Sequence, residues 1–264
     1  MCYTCAMNKI IKTNDTTNNT VKSSKYEVLN SDIIKIIACV IMLIDHLDFG
    51  LLRTYLKQNS MVLAPDTFAN LNSLYKGLDG LGRIAFPIFC FFLVEGFIHT
   101  GNKIKYAVRL FIFALVSELP FDLGLFRTIW YPDHQNVILS LFIAFICLMV
   151  IEKITEMIGI TDRLRVLLII CAVAGFGELA TLLHTDYSWK CIVVISVMYL
   201  LRTNKSLKLL AGAAFFSWEK FAPIAFLILY FYDSSKKPRL KYFFYLFYPT
   251  HLILIYLIGS LLGL

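Results

Sequence analysis

Apolar residues in this chain come in long unbroken runs: Ile84–Phe97, Val137–Ile151 and Val166–Ala174 recur between polar breaks. A helix that crosses a bilayer needs about 20 mostly apolar residues, and backbone groups that meet lipid must be hydrogen-bonded internally, so the choice is helices or a closed barrel. Barrel strands alternate apolar and polar positions, and these runs do not. Runs bounded by charges and turn residues place nine candidate spans at 33–52, 84–100, 106–126, 136–151, 166–183, 190–201, 208–217, 220–232 and 241–262. Three of them are short. The pair 208–217 and 220–232, split by Ser217-Trp218-Glu219, is equally readable as a re-entrant hairpin or as one interrupted helix, so eight to ten spans are expected. The expected fold class is an all-α, polytopic integral membrane helical bundle over 33–264. Residues 1–32 are polar, lack the apolar core and cleavage pattern of a signal peptide, and are expected to be a disordered tail.

Composition agrees with this pattern. The chain of 264 residues is 58% hydrophobic and 16% charged, against about 25% charged in soluble domains. Charge then orients it. Lys and Arg accumulate in short cytoplasmic loops. With spans alternating, and the first residues of the following span counted with each connection, the tail and the connections after the second, fourth, sixth and eighth spans carry 17 basic residues, and the other side carries 7. The expected location is a plasma membrane crossed many times, with a cytoplasmic N-terminus. The +7 net charge follows from this bias, with attraction for anionic lipid or an anionic cofactor, and calls for no nucleic acid. Five of the seven cysteines (Cys39, Cys90, Cys147, Cys171, Cys191) lie in apolar runs as small packing residues. Cys2 and Cys5 form a C-x-x-C with no second pair to complete a zinc site, and no metal is expected. The sequons at Asn14 and Asn18 would matter only in a lumenal tail. Serine-hydrolase elbows, P-loops, H-E-x-x-H and dinucleotide fingerprints are missing from the sequence.

An ionisable side chain inside a span costs several kcal/mol and marks a functional candidate unless it snorkels to an interface. Lys35 and His46 in the first span are eleven residues apart, which puts both on one helix face about 16 Å apart along the axis. Histidine ordinarily titrates near neutrality, so His46 is a candidate to take a proton from an acceptor hydroxyl or amine, while Lys35 can hold an anionic part of a donor. Asp45 points about 100° away from His46, so an orienting carboxylate must come from another helix. Glu95, inside the second span and four residues before His99, is the candidate. Interfacial anchoring accounts more simply for Arg83, Lys103 and Lys105, whereas Arg109 is followed by a long apolar stretch. Pro120 should kink the third span beside Glu118 and Asp122, and the two carboxylates suit a cavity lining. Pro249 should do the same in the last span, where Tyr248 and His251 share a face. Glu178 and the segment His184–Trp189 fall on the predicted outer side, with aromatics suited to an interfacial belt.

These residues resemble the TraX family in order and spacing from about residue 31 to the end. The resemblance is carried by Asp45-His46, Gly82-Arg83 with Pro87, Glu95-Gly96, His99-Thr100, Tyr106 with Arg109, Pro120-Phe121, Thr185-Asp186-Tyr187 and Tyr248-Pro249-Thr250-His251. The family's type member is associated with N-terminal acetylation of conjugative pilin, and the family is grouped with the acyltransferase-three membrane superfamily. The superfamily's first-helix signature, a basic residue, ten residues and a His, is matched by Lys35 and His46. It implies His46 as catalytic base and Lys35 as a donor-side cation, with Lys in place of the commoner, bidentate Arg. The resemblance also points to Arg83, Glu95, Tyr248 and His251. The expected function is therefore acyl transfer by an acetyltransferase-type enzyme. Acetyl-CoA would be its co-substrate, held by Lys35, Arg83 and Arg109, and the acceptor would be an envelope pilin, glycan or lipid. Its rival is a proton-coupled transporter with Glu95, Glu118, His46 and His251 as relay. Transporters of that kind tend to carry internal repeats, and the two halves of this chain show none.

Overall fold

The computed structural model describes residues 28–235 and 239–264, and it is helical. Among the described residues the strand-like pairings are two isolated bridges, Leu29 with Tyr232 and Gln135 with Thr185. The C-x-x-C, both sequons and Lys236-Lys237-Pro238 lie outside the described residues.

Helix α1 (Ser31–Leu47) starts at Asn30, whose side chain accepts a hydrogen bond from the Ile33 N–H at 2.8 Å and so satisfies one of the free donors of the first turn. It continues through a π-helical turn, Asp48–Leu52, into α2 (Arg53–Gln58). The chain then reverses into α3 (Pro65–Gly82), with proline at its first position, where a missing N–H costs nothing. After a break at Arg83 and Ile84 comes α4 (Ala85–His99). These limbs form one long antiparallel hairpin. Near one end the Lys35 ammonium lies 4.7 Å from the centre of the Phe92 ring, and further along Gly82 faces the Asp45 side chain with no room for a Cβ. Two expectations are corrected here. The tail does not extend to residue 32: Val28 and Leu29 donate to the Phe231 carbonyl at 3.1 and 3.0 Å, and Ser31 and Asp32 are buried. Residues 53–82, expected as a connection because they lack an apolar run, are mostly helix.

Helix α5 (Lys103–Phe121) carries Pro120 near its end and passes into a second π-helical turn, Asp122–Phe126. Then follow α6 (Val137–Glu156), α7 (Asp162–Leu182) and α8 (Ser188–Leu200). Side-chain caps from Asn102, Asn136 and Thr161 fix the starts of α5, α6 and α7. Helix α9 (Lys205–Phe215), a 3₁₀ turn (Phe216–Trp218) and α10 (Ile224–Tyr230) precede α11 (Lys241–Leu261). Helices α9 and α10 fold back on each other. Lys205 Nζ donates to the Tyr232 carbonyl at 2.8 Å, and the Phe226 ring abuts Gly212. Of the readings left open for 208–232, a single interrupted helix is thereby excluded and a hairpin observed. Its limbs of 11 and 7 residues are far shorter than the ~30 Å hydrocarbon thickness at 1.5 Å per residue.

Helices α4, α6 and α8 supply the centre of the bundle, where Phe91, Phe97, Phe145, Leu148, Ile192 and Met198 are fully buried. Helix α7 lies at the edge, with Val166, Leu167 and Ile170 more than half exposed. Such an apolar outer surface is far larger than a soluble monomer tolerates and associates the chain with a membrane. Among the described residues, four helical stretches are long and apolar enough to cross one: Pro65–His99, Val137–Glu156, Asp162–Leu182 and Phe243–Leu261. Ser188–Leu200 is apolar but shorter.

Loops gather at two opposite ends of the bundle. At one, Lys103 Nζ contacts both carboxylate oxygens of Glu152 (2.6 and 2.5 Å), and Asp32 accepts from the Arg239 N–H at 2.6 Å. At the other, the Gln135 N–H donates to the His184 carbonyl at 3.0 Å and the Asp186 N–H donates to the Gln135 carbonyl at 3.3 Å, joining the 127–136 and 183–187 loops.

Candidate functional site

The last helix brings His251 to the first. His46 Nδ1 and His251 Nε2 are 2.7 Å apart, and the two rings lie within 5° of parallel. His251 Nδ1 is 2.7 Å from the Phe247 carbonyl, one turn back on α11. A carbonyl can only accept, so in the neutral ring His251 Nδ1 carries the proton and its Nε2 accepts. His46 must then donate through Nδ1, which leaves the lone pair on His46 Nε2. The relay fixes both tautomers and both ring planes from a single backbone oxygen. An orienting carboxylate from another helix is expected from the sequence; the partner observed is instead an imidazole, His251, and Glu95 does not reach His46.

Tyr248 packs edge-on against both imidazoles, with ring centres 6.1 Å from His46 and 5.6 Å from His251. Its hydroxyl is buried without a hydrogen-bond partner of ordinary geometry. Tyr248 closes one end of a cavity of about 450 Å3 enclosed by α1, α4, α5, α6 and α11. The walls are apolar and aromatic, among them Phe89, Phe92, Leu110, Phe113 and Leu141. Lys35 and Arg109 line the cavity as well, with Asp32, His99 and Thr100 of the Lys103–Glu152 end. The Arg109 guanidinium lies 5.4 Å from the centre of the Tyr106 ring, and its Nε is buried and unpartnered. The imidazoles of His46 and His251 stand behind Tyr248 and are not themselves in the lining. Of the residues singled out from the sequence, Lys35, Arg109, Tyr248, His46 and His251 are thus brought into one continuous region.

Glu95 and Arg83 stand apart from it. Glu95 Oε1 accepts from Lys208 Nζ at 2.6 Å, and its other oxygen is 3.6 Å from His99. Lys208, 4% exposed, is a buried cation that the sequence reading placed at a span boundary. Arg83 sits at the opposite end of α4, bonded to Asp79 at 2.9 Å and to the Tyr187 hydroxyl. Tyr187 stacks on Phe86 with ring centres 3.7 Å apart, in a left-handed backbone conformation (φ 60°). Arg83 organises that end and is not a lining residue of the cavity. Glu118 and Asp122, expected as lining, instead hold the loop before α6. Glu118 accepts from both the backbone and the side-chain amide of Asn136, and Asp122 accepts from the Tyr131 N–H at 3.0 Å.

Among known proteins, the chain is 29% identical over 202 residues to a protein of Dichelobacter nodosus named as a probable fimbrial assembly protein, FimC of serogroup H1. The match covers 69% of this chain and 82% of that relative. No solved structure matches. The TraX protein family matches residues 30–259, which takes in every helix of the cavity, the histidine pair and the Arg83 cluster, and the chain belongs to that family.

Proposed function

We propose that the protein is a membrane acyltransferase that moves an acetyl group from acetyl-CoA to an envelope acceptor, with His46 as general base. One observation carries this reading: a histidine pair whose free lone pair is fixed by a backbone carbonyl, packed behind Tyr248 of a cavity lined by two cations. The donor fits the residues present. The apolar walls suit a thioester arm, and Lys35 and Arg109, the latter with an orphaned Nε, suit phosphates. Acetyl-CoA supplies an activated carbonyl. His46 Nε2 takes the proton of the attacking amine or hydroxyl as the new bond to the carbonyl carbon forms. As the carbon–sulfur bond breaks, the same nitrogen returns the proton to the departing thiolate. His251 holds the imidazole in the productive tautomer, and the Tyr248 hydroxyl donates to the oxygen on which charge develops.

The reading draws as well on the resemblance of the Lys35–His46 spacing to the first-helix signature of the acyltransferase-three superfamily. The fimbrial-assembly name of the Dichelobacter relative favours a pilus subunit over a glycan or glycolipid as acceptor. The basic end of the bundle, with Lys35, Arg109, Lys103 and the α8–α9 connection, is assigned to the cytoplasm of a plasma membrane. Reading α9 and α10 as a hairpin leaves every other connection on the side first assigned to it.

The test is transfer of radiolabel from acetyl-CoA to envelope material in membranes that carry the wild type or His46→Ala at matched expression. Label with the wild type and none with the variant supports the reading, and its migration identifies the acceptor. No label with the wild type, or equal label with both, removes it in favour of proton-coupled transport.

A further inference from the structure

The cavity assigned to the donor and the base assigned to the chemistry do not open onto each other. Lys35, Cys39 and Met42 line the cavity from the inward face of α1, opposite the exposed Ile33, Ile36 and Val40. His46 lies one turn beyond Met42 on the same face, yet neither it nor His251 belongs to the lining. At that boundary stands Tyr248, which lines the cavity on one side and meets both imidazoles edge-on on the other, and which is itself buried. The proton-accepting atom is nevertheless reachable. His46 Nε2 has no hydrogen-bond partner among the described residues and is not buried, so it opens onto a space other than the cavity.

A base that water can reach endangers a thioester, because water is itself an acyl acceptor, and enzymes prevent that loss by keeping water from the activated carbonyl. Here the separation is a single aromatic ring. The backbone that carries it is loosened, since Tyr248 precedes Pro249, whose missing N–H leaves the Tyr245 carbonyl without its helical donor. We propose that Tyr248 is a specificity-determining partition: its ring keeps the donor thioester apart from His46 and turns aside when an acceptor is in place, so that the acyl group passes to the acceptor and not to water. This partition rests on the acyl-transfer reading. The step it suppresses is hydrolysis, in which water adds to the thioester carbonyl as His46 Nε2 takes its proton, the carbon–sulfur bond breaks, and the proton passes to the thiolate to give acetate and the free thiol.

The experiment gives acetyl-CoA, without acceptor, to the full chain purified in non-ionic detergent and measures the labelled acetate released. Tyr248→Phe and Tyr248→Ala both lack the hydroxyl, so the comparison between them isolates the ring. Tyr248→Ala is expected to release acetate about tenfold faster than the wild type or Tyr248→Phe, and His46→Ala in the same chain should abolish the gain. Equal release from the alanine and phenylalanine variants, or a gain that survives the loss of His46, would overturn the partition, while transfer of label to envelope material by the wild type would leave the acyl-transfer reading standing. A second measurement needs no substitution. With diethyl pyrocarbonate as the histidine probe and peptide mass spectrometry to locate it, saturating desulfo-CoA is expected to protect His99, an exposed residue of the cavity lining, and to leave His46 as reactive as before. Protection of both histidines would show one continuous space and overturn the partition. Protection of neither would remove the donor from this cavity, and the acyl-transfer reading would fall with the partition.

Discussion

Replacing His251 by glutamine or by leucine separates the hydrogen-bonding role of that ring from its bulk. Glutamine keeps an acceptor for His46 Nδ1–H, whereas leucine fills the space and orphans a buried donor at a cost of about 1–3 kcal/mol. If His251 positions His46, transfer activity should fall in the order wild type, His251→Gln, His251→Leu. The last should lose about 100-fold or more in kcat with a smaller change in KM for acetyl-CoA. Equal losses in both variants would make the ring a reacting group in its own right. A different outcome is expected at Glu95. Its neutralisation in Glu95→Gln leaves Lys208 as an uncompensated buried cation, so thermal stability in detergent should drop by about 3–5 kcal/mol, and Glu95→Leu with Lys208→Met should recover most of it. The sequence located Glu95 on the correct helix face, and the pairing with His99 four residues on is present at 3.6 Å. Helix spacing, however, says which way a side chain points and nothing about what another helix brings to it. Lys208, 113 residues away, was invisible as its partner for that reason.

Helix α1, helix α5 and helix α11 meet where their backbones come closest. A Cβ at Gly50 would lie 2.7 Å from the Gly124 carbonyl oxygen, and one at Gly124 would lie 2.7 Å from the Leu252 carbonyl oxygen. Both glycines sit inside π-helical turns, Asp48-Phe49-Gly50-Leu51 and Asp122-Leu123-Gly124-Leu125, and both turns begin with a buried aspartate. Close approach through small residues is the main way helices associate where lipid competes for apolar side chains. Gly124→Ala should therefore cost about 1–3 kcal/mol, because only backbone lies opposite and neither neighbour can swing away. Gly77→Ala on α3, with nothing within 4 Å, should be neutral or stabilising by up to about 1 kcal/mol. Melting temperatures of the two variants in one detergent decide the matter, and a tolerated Gly124→Ala would show the three-helix crossing to be loose. Hydropathy found the helices on either side of these turns because apolar length is what it measures. The extra residue of a π turn shifts the helix face without changing composition, and the repeated Asp-x-Gly-Leu was the sequence trace that the span reading passed over.

At the scale of the whole molecule, alternation of basic and non-basic connections and the clustering of loops at two ends of the bundle are independent properties from which a membrane layout can be proposed. The first is charge along the chain, and the second is contact in space. The main difference is α3, which continues the α1–α4 hairpin beyond the apolar run because Asp66, Asn70, Asn72, Lys76 and Asp79 make it polar and so hide it from hydropathy. Its polarity suits a hairpin tip in water, and in the proposed orientation that tip lies on the side opposite the Lys153 connection. The two placements can be tested together in intact cells that carry Ser60→Cys or Lys153→Cys, with Cys2 and Cys5 replaced by serine so that the tail does not react. Both positions are exposed, so a membrane-impermeant maleimide should react wherever it can reach. Ser60→Cys is expected to label from outside, and Lys153→Cys only after the cells are permeabilised. The reverse pattern would invert the protein and put the Lys35–Arg109 mouth of the cavity outside, where acetyl-CoA is not made. Labelling of both from outside would break the alternation itself, and with it the proposed placement of the basic end of the bundle in the cytoplasm.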